Sequence, residues 1–279
     1  MRQPKEVVLI TGCSTGIGRA LALEFLNKKY QVYATARKLK TLSDLKEKGI
    51  QTLTLDILNE KDIKKVLNTV AKEQGKIDII VNNAGYAAIG PMAEIPQYEL
   101  EKQFRTNVFA PLRLIQLSVP FLTKSEQGMV VNIGSVSGIL TTPFAGAYCS
   151  SKAALHSISD ALRMELMPFN IKVITVQPGA IESNFGKRAD QGVLENIGQS
   201  SMYGTIIDSI HQRAKASQEN PTPADLFAKK LVSELGKKNP KITIRLGKGA
   251  YALPALKRLI PERFLDKILS NKFKLNQVK

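Results

Sequence analysis

A short apolar run that passes directly into a glycine-rich loop restricts the fold of this chain more than any other feature of its sequence. Residues 6–11 read Glu-Val-Val-Leu-Ile-Thr, which predicts a buried strand. Gly12-Cys-Ser-Thr-Gly16-Ile-Gly18 follows at once, and residues 19–26 then have the composition of a helix. A strand, a loop and a helix in this order favour an α/β fold in which strands and helices alternate.

The glycine loop has the chemistry of a turn that binds a dinucleotide pyrophosphate. Glycines permit a tight turn and a close approach of the backbone to phosphate, and a helix N-terminus offers free N–H groups and a partial positive charge. An ordinary glycine-rich turn is the alternative, and the flanking strand and helix favour binding over it. The candidate cofactor-binding residues of the loop are Gly12, Ser14, Thr15, Gly16, Ile17 and Gly18.

The end of the second predicted strand, at Ala36, bears on the choice of dinucleotide. It lies about twenty residues past the loop, where NAD-binding folds carry an acid that bonds the ribose 2′-hydroxyl. Here Ala36 is followed by Arg37 and Lys38, which would attract a 2′-phosphate. The sequence therefore favours NADP(H) over NAD(H). The alternative is that both cations are merely solvated residues at the start of the next helix.

Five more apolar runs predict strands, and together the seven favour a doubly wound parallel sheet in one domain. Short connections and the alternation of strands with helices favour this topology, with the ligand at the carboxyl ends of the strands. No linker divides the 279 residues. We expect residues 1–248 to form the dinucleotide-binding and catalytic domain, with a substrate-covering segment at about 185–220. The five runs are residues 51–55, 77–81, 129–133, 172–177 and 241–246.

Tyr148, Lys152 and Ser135 make a candidate acid–base group. Tyr148 and Lys152 are four residues apart in a run of helical periodicity, which puts them on one helix face. An ammonium about 4 Å from the phenol, at an effective dielectric of ~20, would lower the tyrosine pKa by roughly two to three units, towards 7. Ser135 ends a predicted strand thirteen residues before Tyr148 and could hold a substrate oxygen. Taken alone, Tyr-x-x-x-Lys is more typical of an amphipathic surface, so the other motifs decide.

A serine followed after thirteen residues by Tyr-x-x-x-Lys, together with Gly-x-x-x-Gly-x-Gly, resembles the short-chain dehydrogenase/reductase family over about residues 6–246. The resemblance implies a Rossmann-type sheet and hydride transfer between NADP(H) and a ketone, an aldehyde or a secondary alcohol. It implies that Ser135, Tyr148 and Lys152 are catalytic and that Lys152 also binds the nicotinamide ribose. Asn107 would distort its helix and hold a water against Lys152, which completes a proton relay.

The same resemblance implies further cofactor contacts. Asp56 would bond the adenine, and the Asn-Asn-Ala-Gly turn would support the sheet and line the adenine ribose. Ser183 stands where the family pattern Pro-Gly-x-x-x-Thr has threonine, and it keeps a hydroxyl for the nicotinamide carboxamide. A second departure is Gly134, where many relatives have serine. With the loop, the implied cofactor-binding set is Arg37, Asp56, Asn83, Ala84, Gly85, Tyr148, Lys152, Pro178, Gly179, Ile181 and Ser183.

Residues 249–279 form a basic, amphipathic C-terminal extension. The wider stretch 237–279 has 12 of the 40 Lys and Arg residues but only two of the 24 acids, so most of the net charge of +16 lies there. Its apolar face could rest on an anionic membrane surface, cover the substrate pocket or pack against a partner subunit. Nucleic acid is not an expected partner because no base-reading motif is present. Apolar and basic residues interleave at Leu256, Lys257, Arg258, Ile260, Arg263, Phe264, Lys267, Ile268, Lys272 and Phe273.

Cysteine usage and the absence of long apolar runs indicate a compartment. Cys13 and Cys149 have no neighbours that would complete a metal site, so we expect no metal and a reducing, cytoplasmic environment. No run is long enough for a signal peptide or a membrane-spanning helix. Contact with a membrane would therefore be peripheral.

The start Thr11-Gly-Cys-Ser, the junction Ala-Thr-Ala-Arg37 and the basic tail resemble the branch of the family that reduces hydroxysteroids, retinoids and acyl-dihydroxyacetone phosphate. This implies an apolar or lipid-like substrate, and the family resemblance implies a homodimer or a homotetramer. Two alternatives remain open at this point. One is an NADPH-binding scaffold or sensor without turnover, and the other is epimerisation or dehydration on the same fold.

Overall fold

The computed structural model describes residues 5–278 except Leu194, Asn196 and Gln199, three residues of the segment that we expected to cover the substrate. The described residues form one seven-stranded sheet in which every neighbouring pair is parallel, in the order 3-2-1-4-5-6-7. All seven predicted strands are present, with ends shifted by one or two residues. The strands are β1 (Val7–Ile10), β2 (Gln31–Ala36), β3 (Gln51–Thr54), β4 (Ile79–Asn82), β5 (Gly128–Ile133), β6 (Ile171–Pro178) and β7 (Thr243–Leu246).

Helices connect the strands and cover both faces of the sheet. One of them is interrupted by a π-helical turn at Arg105–Phe109, and the last two follow β7. The helices are α1 (Gly16–Asn27), α2 (Ser43–Glu47), α3 (Glu60–Gln74), α4 (Gln97–Phe104), α5 (Ala110–Leu122), α6 (Gly146–Glu165), α7 (Phe185–Gln191), α8 (Ile207–Lys215), α9 (Ala224–Leu235), α10 (Ala252–Leu259) and α11 (Glu262–Lys272).

Alternate residues of each strand point to opposite faces of the sheet, and each face has its own core. In β1, Val8 and Ile10 belong to a core with α1 and α9. Val7 and Leu9 belong to a second core on the other face, with α3 and α5. Both faces are therefore apolar, which is why the strands read as continuous hydrophobic runs.

The strand order reverses direction between β1 and β4, and this reversal locates the ligand site. The chain winds outward from β1 through β2 to β3, then returns to β4 and continues to β7. In such sheets ligands bind in the crevice at the carboxyl ends of the strands beside the reversal. The sequence prediction of a doubly wound parallel α/β sheet in one domain is confirmed. The boundary that we placed at residue 248 stays a prediction.

The segment after β6 and the C-terminal helix form a third apolar cluster above this crevice. Its buried members include Phe144 before α6, Ile210 on α8 and Phe273 just after α11. The Phe144 ring lies 6.2 Å from the Phe273 ring, edge to face. Part of the C-terminal extension thus packs on the fold. No helix among the described residues is long and apolar enough to cross a membrane.

Candidate active site

The glycine loop forms a backbone cradle at the carboxyl end of β1. Gly12 and Gly16 have φ of +74° and +60°, which side-chain-bearing residues rarely adopt. A Cβ on Gly16 would lie 2.7 Å from Ser183 Cβ, and one on Gly18 would lie 2.4 Å from Asn83 Nδ2. Thr15 is the N-cap of α1, but its side chain makes no capping hydrogen bond. The Thr15 side chain therefore leaves the N-terminal amides of α1 uncapped, which fits a loop built for a phosphate group.

The Asn-Asn-Ala-Gly turn after β4 holds the glycine loop in place. Asn83 Nδ2 donates to the carbonyl oxygens of Thr11 and Gly12 at 2.8 and 3.0 Å. The amides of Asn83 and Ala84 donate to the Thr11 hydroxyl, each at 3.0 Å. Asn82 Nδ2 donates to Asn132 Oδ1 at 2.8 Å and so joins β4 to β5. Thr11 therefore helps to order the glycine loop, a role that we did not predict from its position at the end of a strand.

Asn107 lies within the π-helical turn between α4 and α5, so the expected local distortion of this helix is present. Its Oδ1 accepts from the amide of Tyr86 at 3.2 Å, and its Nδ2 donates to the carbonyl of Tyr86 at 3.0 Å. A Cβ on Gly85 would lie 2.9 Å from Asn107 Oδ1 and 4.0 Å from Lys152 Nζ. The turn therefore brings the amide of Asn107 close to Lys152, where a short relay could run.

Ser135 lies at the carboxyl end of β5, and His156 supports it from α6. His156 Nε2 accepts from the Ser135 amide at 3.4 Å, and burial, the largest cause, lowers the pKa of His156 to about 4. The neutral ring fills the space above Gly134, where a Cβ would lie 2.3 Å from Nε2. A side chain at position 134 would thus overlap the His156 ring, and this overlap explains why glycine stands where many relatives have serine. In the sequence His156 looked like an ordinary helix-face residue.

Tyr148 and Lys152 lie on the first turns of α6, as the spacing predicted, but their electrostatic relation differs from the expectation. Lys152 Nζ donates to the Ile133 carbonyl at 2.7 Å and lies 5.9 Å from the centroid of the Tyr148 ring. Burial raises the pKa of Tyr148 to about 12, opposed by the Ser135 hydroxyl, and lowers that of Lys152 to about 8. The expected tyrosine pKa near 7 is wrong for this arrangement, in which burial dominates. Tyr148 is therefore a protonated phenol at neutral pH, able to donate a proton.

Arg37 and Lys38 are exposed and begin the loop that leaves β2. The Leu55 amide donates to the Ala36 carbonyl at 3.0 Å, which places Asp56 beside this edge. The Asp56 carboxylate accepts from the Leu58 amide at 3.0 Å. Neither Arg37 nor Lys38 forms an ion pair with a described acid, so both remain available to an anion.

The segment after β6 closes over the glycine loop. The Gly179 and Ala180 amides donate to the carbonyls of Leu246 and Lys248, each at 2.9 Å, and a Cβ on Gly179 would overlap the latter. Ser183 packs on Gly16, and its amide donates a hydrogen bond to Gln218 Oε1 at 3.0 Å. Pro178, Gly179 and Ser183 thus line the crevice beside the loop, and Ile181 is buried beneath it.

The remaining candidates for special chemistry are structural. Cys13 and Cys149 are free and buried, and burial raises the pKa of the Cys13 thiol to about 12. Among the described residues no three His, Cys, Asp or Glu side chains are grouped in a way that could hold a metal ion. The described site thus consists of the backbone cradle and the group of Asn107, Ser135, Tyr148 and Lys152.

The fold and this arrangement define a class: an α/β protein with a dinucleotide-type glycine loop and a Ser–Tyr–Lys group at the carboxyl ends of its strands. Residues 6–193 match the family model described as short chain dehydrogenase. The chain belongs to the short-chain dehydrogenase/reductase family. The roles assigned to its individual site residues stay predictions.

The similarity to individual relatives extends beyond the residues that the family model matches. The chain is 33% identical to an NADPH-dependent 3-dehydrocapnine reductase of Ornithobacterium rhinotracheale, over 93% of this chain and 94% of that one. It is 30% identical to the NADPH-dependent 1-acyldihydroxyacetone phosphate reductase of Saccharomyces cerevisiae, over 99% and 94%. The crystal structure of a short-chain dehydrogenase from Streptomyces avermitilis superposes on this chain with a TM-score of 0.79 at 28% identity. The superposition covers 98% of this chain and 97% of that one. The C-terminal extension is thus within the region shared with the yeast protein.

Proposed function

We propose that this oxidoreductase is an NADPH-dependent reductase of an apolar, lipid-like ketone or aldehyde. The observation that carries the proposal is the convergence of Ser135, Tyr148 and Lys152 beside the glycine loop, with Asn107 behind them. When bound, the reduced dinucleotide supplies a hydride to the carbonyl carbon. The residues of the chain supply the rest of the reaction, which is the handling of the carbonyl oxygen and one proton.

Tyr148 is the proton donor in this proposal. Its high pKa keeps the phenol protonated, and the Ser135 hydroxyl that interacts with it would donate a second hydrogen bond to the same substrate oxygen. As the carbon gains hydride, the oxygen takes the Tyr148 proton and the carbonyl becomes an alcohol. Lys152, buried near Asn107, would return a proton to Tyr148 and bind the nicotinamide ribose. Alcohol oxidation is the same step reversed, and cellular cofactor ratios set its direction.

The preference for NADP(H) rests on Arg37 and Lys38. Both are exposed, unpaired among the described residues and placed at the edge where the adenosine ribose binds in this fold. A 2′-phosphate would gain two cationic partners there. The relatives' names are in keeping with this preference, because both reductases are described as NADPH-dependent. Asp56 would contact the adenine.

The apolar character of the substrate rests on the cluster beside Tyr148. The Tyr148 ring lies 5.5 Å from the Phe185 ring, and the Phe144 ring lies 5.9 Å from the Tyr203 ring. Phe273 extends this aromatic wall from the C-terminal segment. A hydrocarbon chain would bury its surface against these rings. The yeast relative's name describes an acylated substrate, which supports the same class.

The test of this proposal is the loss of NADPH absorbance, with NADH in parallel, over carbonyls from short aldehydes to long-chain ketones. We expect oxidation of NADPH in preference to NADH, fastest with the long apolar carbonyls. Binding of NADPH without oxidation of either cofactor would contradict the proposal and favour a scaffold or sensor. Conversion of a substrate without net cofactor consumption would instead favour epimerisation or dehydration.

We also propose that the outer face of α10 and α11 rests on an anionic membrane surface. Leu265 and Phe273 are buried, whereas Leu259, Phe264 and Ile268 remain 77%, 67% and 52% exposed. The exposed apolar residues alternate with Arg258, Arg263 and Lys267. The attraction of each of these cations to anionic headgroups contributes about 1 kcal/mol to the free energy of membrane binding. The fold thus buries one face of the C-terminal extension, and the other face has no packing partner among the described residues.

Sedimentation with vesicles tests the membrane proposal. We expect the protein to bind vesicles of phosphatidylserine and phosphatidylcholine, and to lose at least tenfold in affinity when Phe264 and Ile268 are both changed to Ser, since two apolar side chains would no longer enter the interface. Met167→Ser, at a residue 65% exposed elsewhere, is the matched control. Equal binding by both variants would contradict the proposal. Dissociation of a homodimer or homotetramer in the double variant, without vesicle binding by the native chain, would assign the face to a second copy.

A further inference from the structure

Arg213, a cation on α8, lies close to the proton-donor candidate Tyr148. Ile210 and Ala214, on either side of Arg213 in the helix, are buried in the third apolar cluster, so this face of α8 points inward. Arg213 Nε donates to the hydroxyl of Thr142 at 2.6 Å. Thr142 belongs to the loop that leads into α6. Arg213 is therefore fixed at the edge of the pocket that holds Tyr148.

The charge of Arg213 acts directly on the reacting group. Burial raises the pKa of the Tyr148 phenol and of the Cys149 thiol, and the nearby Arg213 guanidinium opposes both shifts with its positive charge. A group bound by Arg213 would lie close to the carbonyl that Tyr148 protonates.

Arg213 has no acidic partner among the described residues, unlike His211 and Lys215 on the same helix. His211 Nδ1 and Lys215 Nζ both contact the Asp190 carboxylate, at 2.7 and 3.1 Å. Arg213 hydrogen-bonds the Thr142 hydroxyl and the Cys149 thiol instead, and burial, the largest cause, lowers its pKa. A partly buried cation without a counter-ion is costly, and an oxyanion from a ligand would remove that cost.

We propose that Arg213 binds an anionic group of the substrate, a carboxylate, phosphate or sulfonate carried near the reacting ketone. Thr142 and the Cys149 thiol occupy two of the five N–H groups of the guanidinium, and the remaining N–H groups can bind the oxygens of an oxyanion. The substrate is then an amphiphile whose charged head meets Arg213 and whose chain meets the aromatic cluster. This inference rests on the proposed reductase function and adds to it the charge of the substrate.

A matched pair of substrates tests the inference. A long-chain keto acid and its methyl ester differ in charge but share the ketone and the chain. We expect the acid to be reduced with a kcat/KM about ten- to a hundredfold higher, in the range of hydrogen bonds to charged groups. Arg213→Met should abolish this preference, so that this variant reduces the acid and the ester with similar kcat/KM values. Lys215→Met, which removes an exposed charge from the same helix, should keep the preference.

A binding measurement separates this inference from the reductase proposal. With the protein saturated in NADP⁺, we expect calorimetry to show binding of hexyl phosphate at least tenfold tighter than that of hexanol or inorganic phosphate. We also expect Arg213→Met to lose this difference and to unfold at the same or a higher temperature than the native chain, because the variant lacks an unpaired charge. If neither ketone is reduced, the reductase proposal fails, and hexyl phosphate still decides the role of Arg213.

Three results would overturn the assignment. The first is an ester reduced as well as the acid by the native chain. The second is a preference for the acid that survives in Arg213→Met. The third is inorganic phosphate bound as tightly as hexyl phosphate, since that describes an anion site unrelated to an amphiphilic substrate.

Discussion

Replacing Tyr148 with Phe is expected to lower turnover by about a thousandfold or more and to leave NADPH binding nearly unchanged. The ring would keep its place against Phe185, at 5.5 Å, but the only proton donor that we assign to the carbonyl oxygen would be lost. General acid catalysis contributes roughly 10²–10⁴-fold, and the Ser135 hydroxyl cannot deliver its proton without another proton donor to restore it. Stopped-flow measurement of NADPH oxidation, with NADPH binding measured by fluorescence, gives both quantities.

Tyr203→Phe is the matched control for this variant. Tyr203 belongs to the same aromatic cluster, 5.9 Å from Phe144, so the change removes a phenol from the pocket wall without touching the reacting group. We expect it to retain activity within a few-fold of the native chain. A Tyr148→Phe protein that still turns over at a tenth of the native rate would end the assignment of Tyr148 as the proton donor.

Changing Arg37 and Lys38 together to Ser is expected to raise the KM for NADPH about ten- to a hundredfold and to leave the KM for NADH unchanged. Charge-assisted hydrogen bonds contribute about 1.5–3 kcal/mol when well formed. Both side chains are exposed, so the contribution of each contact belongs at or below the lower end of that range. The measurement is steady-state kinetics with each cofactor at two salt concentrations, because a contact with phosphate weakens as salt rises.

Lys28→Ser provides the comparison for the cofactor variant. It removes an exposed positive charge at the end of α1, away from the carboxyl edge of the sheet, and so tests whether general charge loss matters. We expect both KM values to stay unchanged. Equal losses with NADPH and NADH in the Arg37 and Lys38 variant would show that these residues do not read the 2′-phosphate.

The sequence was sufficient for the parts of the molecule that depend on local patterns. A parallel sheet is covered on both faces, so its strands appear as continuous apolar runs, and seven such runs became seven strands. The cradle was also readable, because positive φ at Gly12 and Gly16 restricts those positions to glycine. The site falls at the ends of these strands because the loops that follow them meet at one edge.

Features that depend on distant residues could not be predicted in this way. The glycine at position 134 is explained by the His156 ring, which lies against it although the two residues are 22 positions apart along the chain. The pKa of Tyr148 depends on burial, which spacing along a helix does not report, and on where the Lys152 ammonium finds its carbonyl partner. Arg213 had no motif around it. Its proximity to Tyr148 arises because α8 and the start of α6 contribute to the same apolar cluster.

The most direct test of the account is transfer of deuterium from NADPH labelled at the nicotinamide C4 to a long-chain ketone, read by mass spectrometry of the product. We expect one deuterium on the carbinol carbon of the alcohol when the transferred position carries the label, and none in the Tyr148→Phe protein within the same time. A product that forms without the label, whichever face of the nicotinamide carries it, would contradict direct hydride transfer and with it the central claim.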